Sequence, residues 1–429
     1  MKFVKLLRAV LPMLCLALAV LPMAADTTVG DFTYKLNSTD KIARITGRAK
    51  EAEKAYNLTI PSTITYKNVT YKVTIVNAKA FYGDYYIRKL TLGDNVQTIG
   101  ESAFESTTIT TIVSFGKKLQ TIGNRAFYSS SVTSMAAIPA TVTSIGDLSF
   151  GNCTGLTAVN FTVPAKITAI GYQAFWNCTG LKTIALPGSL QSIGEECFKL
   201  CEGLTSVSFL SGTGKAFVGI RCFDNLQNIT SVTFGEPSVG TFGMAAFINC
   251  GISSLTLPSS CTSVGEDAFS SNRLSVLKLN EGLKTIDPYA FESQYVNGGL
   301  KELVIPSTVT SIGTYAFKAV GDKMTSITCK ATVPPTATAG AFSSYNQMYT
   351  PLYVPDASVN AYKTAEVWKD FRYIYGINSA IDDVAADMPE SDLPVKWYDL
   401  QGQQVNPDDV PSGVYIRRQG GNVTKVTIP

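Results

Sequence analysis

Histidine is absent from this sequence of 429 residues, and charged residues make up only 16 % of it. Without an imidazole, no side chain of ordinary pKa titrates near neutral pH, which excludes Ser-His-Asp and Cys-His catalysis and histidine-ligated zinc. Adjacent acids such as Glu195 and Glu196 point apart, whereas a glycosidase needs two carboxylates that converge on one bond. We therefore expect no enzyme, no cofactor and no metal site.

The first 25 residues have the pattern of a secretory signal peptide. Basic residues precede an apolar run from Leu11 to Leu21, and small residues stand just before Asp26. The run is too short to span a bilayer, which takes about 20 apolar residues, and no other segment is a candidate transmembrane span. The pattern predicts a protein that is secreted or displayed on the exterior of the outer membrane.

Neither positive nor negative charge is in large excess. The sequence has 36 Lys and Arg against 33 Asp and Glu, and removal of the three cations in residues 1–25 leaves 33 of each. Nucleic-acid binding depends on neutralising phosphates, and electrostatic membrane attachment depends on basic runs. The balance excludes nucleic acid as a partner and argues against attachment by a polybasic patch.

A unit of 22 to 26 residues recurs from the first third of the chain to beyond residue 340. Two fragments define it: Leu-x-x-Ile-x-Leu, as in Leu181–Leu186, and Ile-Gly-x-x-Ala-Phe, as in Ile99–Phe104. A unit this short cannot bury its apolar face alone, so the repeat predicts a β-rich solenoid of about twelve coils. The phenylalanines that recur once per unit are Phe81, Phe104, Phe127, Phe150, Phe175, Phe198, Phe223, Phe247, Phe269, Phe291, Phe317 and Phe342.

Each fragment predicts its own local structure. The alternation in Leu-x-x-Ile-x-Leu predicts a short strand whose isoleucine and second leucine point inward. Val-Thr-Ser-Ile-Gly, as at 142–146, predicts a second extended piece with glycine at the turn. The Glu-x-Ala-Phe stretch that follows predicts about one helical turn, with phenylalanine filling the centre of the coil.

The complete unit, Ile-Pro-x-x-Val-Thr-Ser-Ile-Gly-x-x-Ala-Phe-x-x-Cys-x-x-Leu-Thr-Ser-Ile, resembles the leucine-rich repeat of BspA-like surface proteins of Bacteroidales. The resemblance covers roughly residues 55 to 376. It implies an α/β-type leucine-rich-repeat solenoid with small β caps, in which Tyr362 and Trp368 cover the last coil. It also implies adhesion, since members of that family bind host matrix proteins or other cells.

These patterns divide the chain into six predicted segments. They are a signal peptide at 1–25, an amino-terminal hairpin and cap at 26–75, the solenoid at 76–350, its carboxyl-terminal cap at 351–376, an acidic linker at 377–395 and a short β segment at 396–429.

The last of these segments resembles the carboxyl-terminal β segment of many secreted Bacteroidales proteins, which acts as a sorting signal in type IX systems. A small structural β cap is the alternative interpretation. The residues that carry the likeness are Tyr398, Asp399, Leu400, Gly402, Gly413, Val414, Tyr415 and Ile416.

Eight of the nine cysteines lie beyond the predicted signal peptide, and six of these take small-residue positions of the repeat. Cys153, Cys178 and Cys201 each precede the leucine of the next strand by three residues, and Cys197 and Cys222 take the alanine position of Ala-Phe. Such positions favour buried, inert thiols over a metal site. The formation of one disulfide in an oxidising compartment is the alternative.

The outward strand positions form the predicted ligand-binding face. They are mostly small or hydroxylated and carry neither the converging ionisable groups of an active site nor aromatic platforms for sugars. The predicted face consists of Thr183, Ala185, Ser206, Ser208, Ser231, Thr233, Ser254, Thr256, Lys278 and Glu302. A rival contact patch consists of Tyr82, Tyr85 and Tyr86, since tyrosine is a common interface anchor.

The sequence therefore predicts a secreted or cell-surface adhesion protein that binds a macromolecule, a host matrix protein or another cell surface, along an extended repeat face. Its partner would be an extracellular protein or a glycan, and we expect the protein to be a monomer. Two alternatives are a glycan-binding component of a polysaccharide-uptake system and a purely structural protein of the cell envelope.

Overall fold

The computed structural model describes residues 26–294, 299–321, 324–378, 395–400, 403–407, 410–419 and 422–428. The predicted signal peptide and most of the predicted acidic linker lie outside the described residues. The chain divides into two compact units, Met1–Gly180 and Leu181–Pro429.

The first unit is built from short strands. They are β1 (Thr27–Val29), β2 (Phe32–Asn37), β3 (Ile42–Arg48), β4 (Tyr56–Ile60), β5 (Thr63–Tyr66), β6 (Val69–Val76), β7 (Ile87–Leu92), β8 (Thr98–Ile99), β9 (Thr111–Ser114), β10 (Thr121–Ile122), β11 (Ser134–Met135), β12 (Ser144–Ile145) and β13 (Ala169–Ile170).

These strands form two sheets. The first has the order β1-β2-β3-β6-β8-β10-β12-β13, in which β1, β2 and β3 are antiparallel and pairing is parallel from β3 onward. β5 forms an antiparallel hairpin with β6. The second sheet is parallel, with the order β11-β9-β7-β4. From β6 to β12 the chain alternates between the two sheets, which is the path of a solenoid.

The second unit begins with β14 and repeats the same alternation. Its elements are β14 (Thr183–Leu186), β15 (Ser192–Ile193), β16 (Ser206–Phe209), β17 (Ala216–Val218), β18 (Ser231–Phe234), β19 (Val239–Phe242), β20 (Ser254–Thr256), β21 (Ser263–Val264), β22 (Val276–Lys278), β23 (Thr285–Ile286), β24 (Glu302–Ile305), β25 (Ser311–Ile312), β26 (Ser326–Cys329), β27 (Thr336–Ala337), α1 (Ser344–Tyr349), β28 (Leu352–Val354), a 3-10 helix at Asp356–Ser358, α2 (Val359–Thr364), a 3-10 helix at Trp368–Asp370, β29 (Ile374–Gly376), β30 (Lys396–Tyr398), β31 (Gln404–Val405), β32 (Gly413–Gln419) and β33 (Asn422–Ile428).

One long parallel sheet and three shorter ones line this second solenoid. The long sheet has the order β15-β17-β19-β21-β23-β25-β27. The shorter parallel sheets are β14-β16-β18, β20-β22 and β24-β26-β28-β29. The separate antiparallel sheet β31-β30-β32-β33 lies within the predicted carboxyl-terminal β segment, and Tyr415 of this sheet is buried. Gly402 of that segment lies outside the described residues.

The strands follow the predicted alternation of inward and outward side chains. In β14, Ile184 and Leu186 are buried, whereas Thr183 and Ala185 are exposed. Two-residue strands such as β15 place only the isoleucine inward. Because neighbouring residues of a strand point to opposite faces, this pattern gives each coil an apolar interior and a polar exterior.

The recurring phenylalanines form a column of parallel rings inside each unit. In the first unit, successive rings from Phe81 to Phe175 have centroids 5.1–5.4 Å apart. In the second unit, the rings from Phe198 to Phe342 are 4.6–5.8 Å apart. Every one of these side chains is buried. The prediction of a leucine-rich-repeat solenoid with phenylalanine at the coil centre is confirmed.

The predicted helical turn before each phenylalanine is wrong. In the coil of Phe104, the N–H groups of Ser102, Phe104 and Ser106 donate to carbonyls of the next coil at 2.8–2.9 Å. Only the intervening N–H groups bond locally, as Ala103 does to Gly100. Ser102 and Ser106 adopt positive φ values of 53° and 58°, which a right-handed helix does not allow. Turns form in place of a helix because they leave alternate N–H groups available to bond to the next coil along the solenoid axis. A helical turn would use these N–H groups within itself.

Aromatic side chains cover the start of the first column and the end of the second. In the first unit, Phe32 of β2 meets the first ring, Phe81, edge to face at 6.2 Å. In the second unit, Trp368 and Phe371 contact the last ring, Phe342, at 5.3 and 5.2 Å. The Trp368 indole N–H also donates to the carbonyl of Pro335 at 2.8 Å. Each cap therefore replaces the coil that the end of a repeat array lacks.

Replacement of a stacked phenylalanine should destabilise the second unit strongly. Phe223 lies between Phe198 and Phe247, with centroid distances of 5.0 and 4.6 Å. Phe223→Ala should lower the free energy of unfolding by about 3–5 kcal/mol, because it leaves a cavity between two rings. The control, Ser206→Ala on the outer side of β16, should change it by less than about 0.5 kcal/mol in the same urea titration. Equal losses for the two variants would contradict the register given above.

Candidate functional site

The predicted face lies in the second unit, where the parallel register arranges its residues in two rows. Thr183, Ser206 and Ser231 are directly paired across β14, β16 and β18. Ala185, Ser208 and Thr233 form the second row across the same strands. We call the outward residues of these and the following strands of the second unit, β20, β22, β24, β26, β28 and β29, the strand face.

The rows continue on the next two sheets. Ser254 pairs with Val276, and Thr256 pairs with Lys278, across β20 and β22. Glu302 pairs with Ser326 across β24 and β26. The backbone ladder is interrupted between β18 and β20 and between β22 and β24, since these strands belong to separate sheets. The predicted residues therefore lie in register within each sheet, in three groups.

Most of the predicted residues offer small polar surfaces to a partner. Ser206 and Ser208 are half-buried and the other eight are exposed. The Thr233 hydroxyl donates to Ser208 Oγ at 3.0 Å, so these two hydroxyls are held by each other. Lys278 and Glu302 bring one charge of each sign, which leaves the ten predicted residues without a net charge.

Two tyrosines that the sequence patterns do not reveal extend the strand face. The row that contains Val304 continues through Thr328 of β26 to Tyr353 of β28 and Tyr375 of β29. The two tyrosine rings have centroids 6.1 Å apart, and burial raises the pKa of Tyr353. The alternating Leu352–Val354 segment was the available signal, but it lay in the predicted cap and not in a recognisable repeat.

The rival patch belongs to the first unit, in the turn between β6 and β7. Tyr82, Tyr85 and Tyr86 are exposed to 54 %, 65 % and 40 %. Asp84 orders this turn, because its carboxylate accepts the Tyr86 N–H at 2.9 Å and the Tyr56 hydroxyl at 2.7 Å. Three exposed aromatic side chains on an ordered turn have the composition of an interface anchor.

Burial and charge together set the ionisation of Tyr56 beside this patch. Its pKa is raised, first by burial and then by the hydrogen bond to Asp84, while Arg48 acts in the opposite direction. The Arg48 guanidinium lies 4.3 Å from the ring centroid of Tyr56. Tyr56 is therefore a neutral hydrogen-bond donor at physiological pH, which keeps the turn in one conformation.

Ionisable groups with raised pKa values lie in the turns of the second unit, away from the strand face. Burial raises the pKa of the carboxyl groups of Asp224, Asp267 and Asp287. Lys199 lowers the pKa of Asp224, and Glu266 raises those of the other two. Within the described residues, His, Cys, Asp and Glu side chains form no group of three or more that could hold a metal ion.

All eight cysteines beyond the predicted signal peptide are buried, as predicted for the six that take small-residue positions of the repeat. The thiols of Cys153 and Cys250 donate to the carbonyls of Phe127 and Phe223, each at 3.2 Å. Burial raises the pKa of Cys153 to about 11 and those of Cys250 and Cys261 to about 12. Cys153, Cys250 and Cys261 therefore fill the coil interior as protonated thiols.

The described part of the chain contains no helix with the length and apolar character of a membrane span. Parallel strands added once per coil around a column of stacked rings define the chain as a leucine-rich-repeat solenoid protein. The BspA-type leucine-rich repeat region matches in six copies, over residues 74–205, 120–234 and 213–325. The chain therefore belongs to the BspA-type leucine-rich-repeat family.

Solved structures of bacterial leucine-rich-repeat proteins are also similar to this chain. The pneumococcal vaccine antigen PcpA is 21 % identical, with 83 % of this chain and 99 % of that chain covered and a TM-score of 0.46. A leucine-rich-repeat protein of Bacteroides ovatus is 18 % identical, with 82 % and 100 % covered and a TM-score of 0.41. A leucine-rich cell surface protein of Faecalibacterium prausnitzii is 16 % identical, with 85 % and 97 % covered and a TM-score of 0.37. No curated protein sequence gives a significant match.

The buried thiols should resist modification in the native protein. At about pH 8, below the raised pKa values, Cys153, Cys250 and Cys261 stay protonated, and the thiolate is the form that reacts. A colorimetric thiol reagent should therefore detect these cysteines only after urea is added. The contribution of these buried, protonated thiols to the free energy of unfolding is complete below the pKa of an unfolded cysteine, about 8.5. It is lost as the pH rises through the raised pKa values of the folded protein. Rapid native labelling of these three thiols would contradict the assigned burial.

Proposed function

We propose that the protein is a secreted or cell-surface adhesion protein that binds a host matrix protein or another cell surface through the strand face. The observation that supports this most is the in-register arrangement of exposed, mostly small side chains on parallel sheets. A flat surface of this kind can contact an extended partner at many points, because its backbone is fixed by the coils on either side.

The chemistry of the strand face favours binding without strong electrostatic steering. The chain beyond residue 25 has equal numbers of cationic and anionic side chains, and the predicted face is neutral. We therefore propose an extracellular protein as the partner and exclude nucleic acid. In this proposal the protein is a monomer without catalytic activity, exported by the signal peptide at 1–25, and the β segment at 396–429 serves as a sorting signal or as a structural cap.

The tyrosine patch supports a second candidate contact site for the same function. Tyr82, Tyr85 and Tyr86 expose aromatic surface on a turn ordered by Asp84. Tyrosines in this setting concentrate binding energy in a few residues, whereas a surface of serine and threonine spreads it over many. The two candidates therefore differ in how single substitutions affect affinity.

Lysine substitutions on the strand face should separate these candidates. Thr183→Lys, Ser231→Lys and Thr256→Lys each place a long charged side chain on the face, and each should weaken binding to the captured matrix protein about tenfold. Partners would first be identified by pull-down of the full secreted chain against purified matrix proteins. Affinities would then be measured by surface plasmon resonance at low and physiological salt, between which they should differ little.

Two controls accompany this experiment. Gln191→Lys adds the same charge at an exposed position next to β15, outside the strand face, and should leave affinity unchanged. If the double variant Tyr85→Ala and Tyr86→Ala abolishes binding while the three strand-face variants bind normally, the ligand docks at the tyrosine patch. The strand-face proposal would then be wrong.

A further inference from the structure

The residues that directly follow the buried phenylalanines of the first unit form an ordered row, in addition to the column of phenylalanine rings. The N–H of Gly83 donates to the Glu105 carbonyl at 2.8 Å, and the N–H of Ser106 donates to the Tyr128 carbonyl at 2.8 Å. The same bond recurs from Ser129 to Gly151 at 2.9 Å and from Asn152 to Trp176 at 2.6 Å. These bonds fix one residue per coil, and the resulting aromatic row is Tyr82, Glu105, Tyr128, Gly151 and Trp176.

Aromatic side chains occupy every second coil of this row. Tyr82 is exposed, and Tyr128 and Trp176 are half-buried, so each has ring surface available to a ligand. Parallel coils are separated by the inter-strand distance of 4.7–4.9 Å, which places equivalent positions two coils apart at about 9.5 Å. The stacked phenylalanines beneath the row, 5.1–5.4 Å apart, agree with this spacing.

The middle tyrosine is held by charged and small neighbours. The Arg125 guanidinium lies 4.1 Å from the Tyr128 ring centroid and donates to both Glu105 carboxylate oxygens, at 2.9 and 2.6 Å. The Arg125 hydrogen bond also lowers the pKa of Glu105, so the pair stays ionised at neutral pH. A Cβ at position 151 would lie 3.1 Å from the Tyr128 ring, which means that glycine lets this ring settle against the backbone.

Amide and hydroxyl groups run beside the aromatic row. Asn152 Nδ2 donates to Ser129 Oγ at 2.9 Å, and Asn177 Nδ2 donates to Asn152 Oδ1 at 2.7 Å. Ring surfaces next to amides suit pyranose sugars, which combine an apolar C–H face with equatorial hydroxyl groups. The equivalent positions of the second unit, all of them described, carry no aromatic side chain. They are Lys199, Asp224, Ile248, Ser270, Glu292, Lys318 and Ser343.

We propose that the aromatic row of the first unit binds an extended polysaccharide of β-1,4-linked pyranose units. In such a chain every second sugar presents the same face, at a repeat close to two coils of the solenoid. Tyr82 and Trp176, four coils apart, can therefore each stack on an equivalent sugar, and the exposed part of Tyr128 contacts a sugar between them. The chain runs along the solenoid axis, and the adjacent amides hydrogen-bond its hydroxyl groups. This site lies outside the strand face and goes beyond the adhesion function proposed above.

Calorimetric titration of the full secreted chain with defined oligosaccharides tests this site. The probes are cello-oligosaccharides and chito-oligosaccharides of two and six sugars, with the six-sugar α-1,4-linked malto-oligosaccharide as the negative control. A six-sugar β-1,4 chain reaches more than one aromatic platform and should bind at least about tenfold more tightly than the two-sugar chain. Binding of either six-sugar β-1,4 probe supports the proposal and identifies whether the sugar is N-acetylated.

Variants locate the site on the aromatic row. Tyr82→Ala and Trp176→Ala should each weaken binding of the six-sugar probe at least about tenfold, and Trp176→Phe should retain most of it. Tyr345→Ala removes an equally exposed tyrosine from the second unit and should bind like the parent, as should Thr183→Lys on the strand face. Thermal unfolding confirms that each variant is folded.

The following results would overturn the proposal. They are failure of both six-sugar β-1,4 probes to bind at millimolar concentration, equal affinity for two-sugar and six-sugar chains, equal binding of the α-1,4 probe, and undiminished binding by folded Tyr82→Ala and Trp176→Ala variants. Loss of glycan binding in Thr183→Lys would also overturn it, by assigning the sugar to the strand face. None of these results bears on protein adhesion by the strand face, which the matrix-protein measurements test separately.

Discussion

Contact between one coil and the next is the constraint on which the rest of this structure depends. A coil of 22 to 26 residues encloses one phenylalanine ring and a few aliphatic side chains, which is too little to fold alone. Its ring is buried only because the rings of neighbouring coils cover both faces. Its backbone N–H groups find acceptors one coil away, even in the turns. The spacing of residues along the strand face and along the aromatic row follows from this stacking.

Much of this architecture could be predicted because it repeats. The alternation in Leu-x-x-Ile-x-Leu fixes which side chains point outward, so Thr183 and Ala185 could be assigned to one surface before their neighbours were known. Cysteine in the alanine position of Ala-Phe, as at Cys197, similarly indicates burial. A dozen recurrences make such assignments secure, since an interpretation that fits one coil must fit the others.

The turns and the composite surfaces could not be predicted in the same way. Ser102, Arg125 and Tyr315 all adopt positive φ, yet none is glycine, and local propensity gives no sign of it. Inter-coil hydrogen bonds outweigh that preference, and they are visible only once the coils are stacked. Likewise, Tyr353 lies in the same row as Val304, and Tyr128 lies one coil from Glu105. Both placements depend on the register between coils, which the pattern of a single sequence does not show.

The cap formed by Trp368 and Phe371 has a consequence for the state of assembly. Phe342 presents the same ring surface and the same kind of parallel backbone edge as any internal coil, and Trp368, Tyr362 and Phe371 cover it. An uncovered terminal coil could contact an uncovered coil of another chain in the way that it contacts its own successor. Such a contact joins unlike ends and does not close, so it would propagate as a head-to-tail fibre. Phe32 covers the coil of Phe81, and Trp368 and Phe371 cover that of Phe342. The aromatic cap therefore covers the surface on which a further coil would stack.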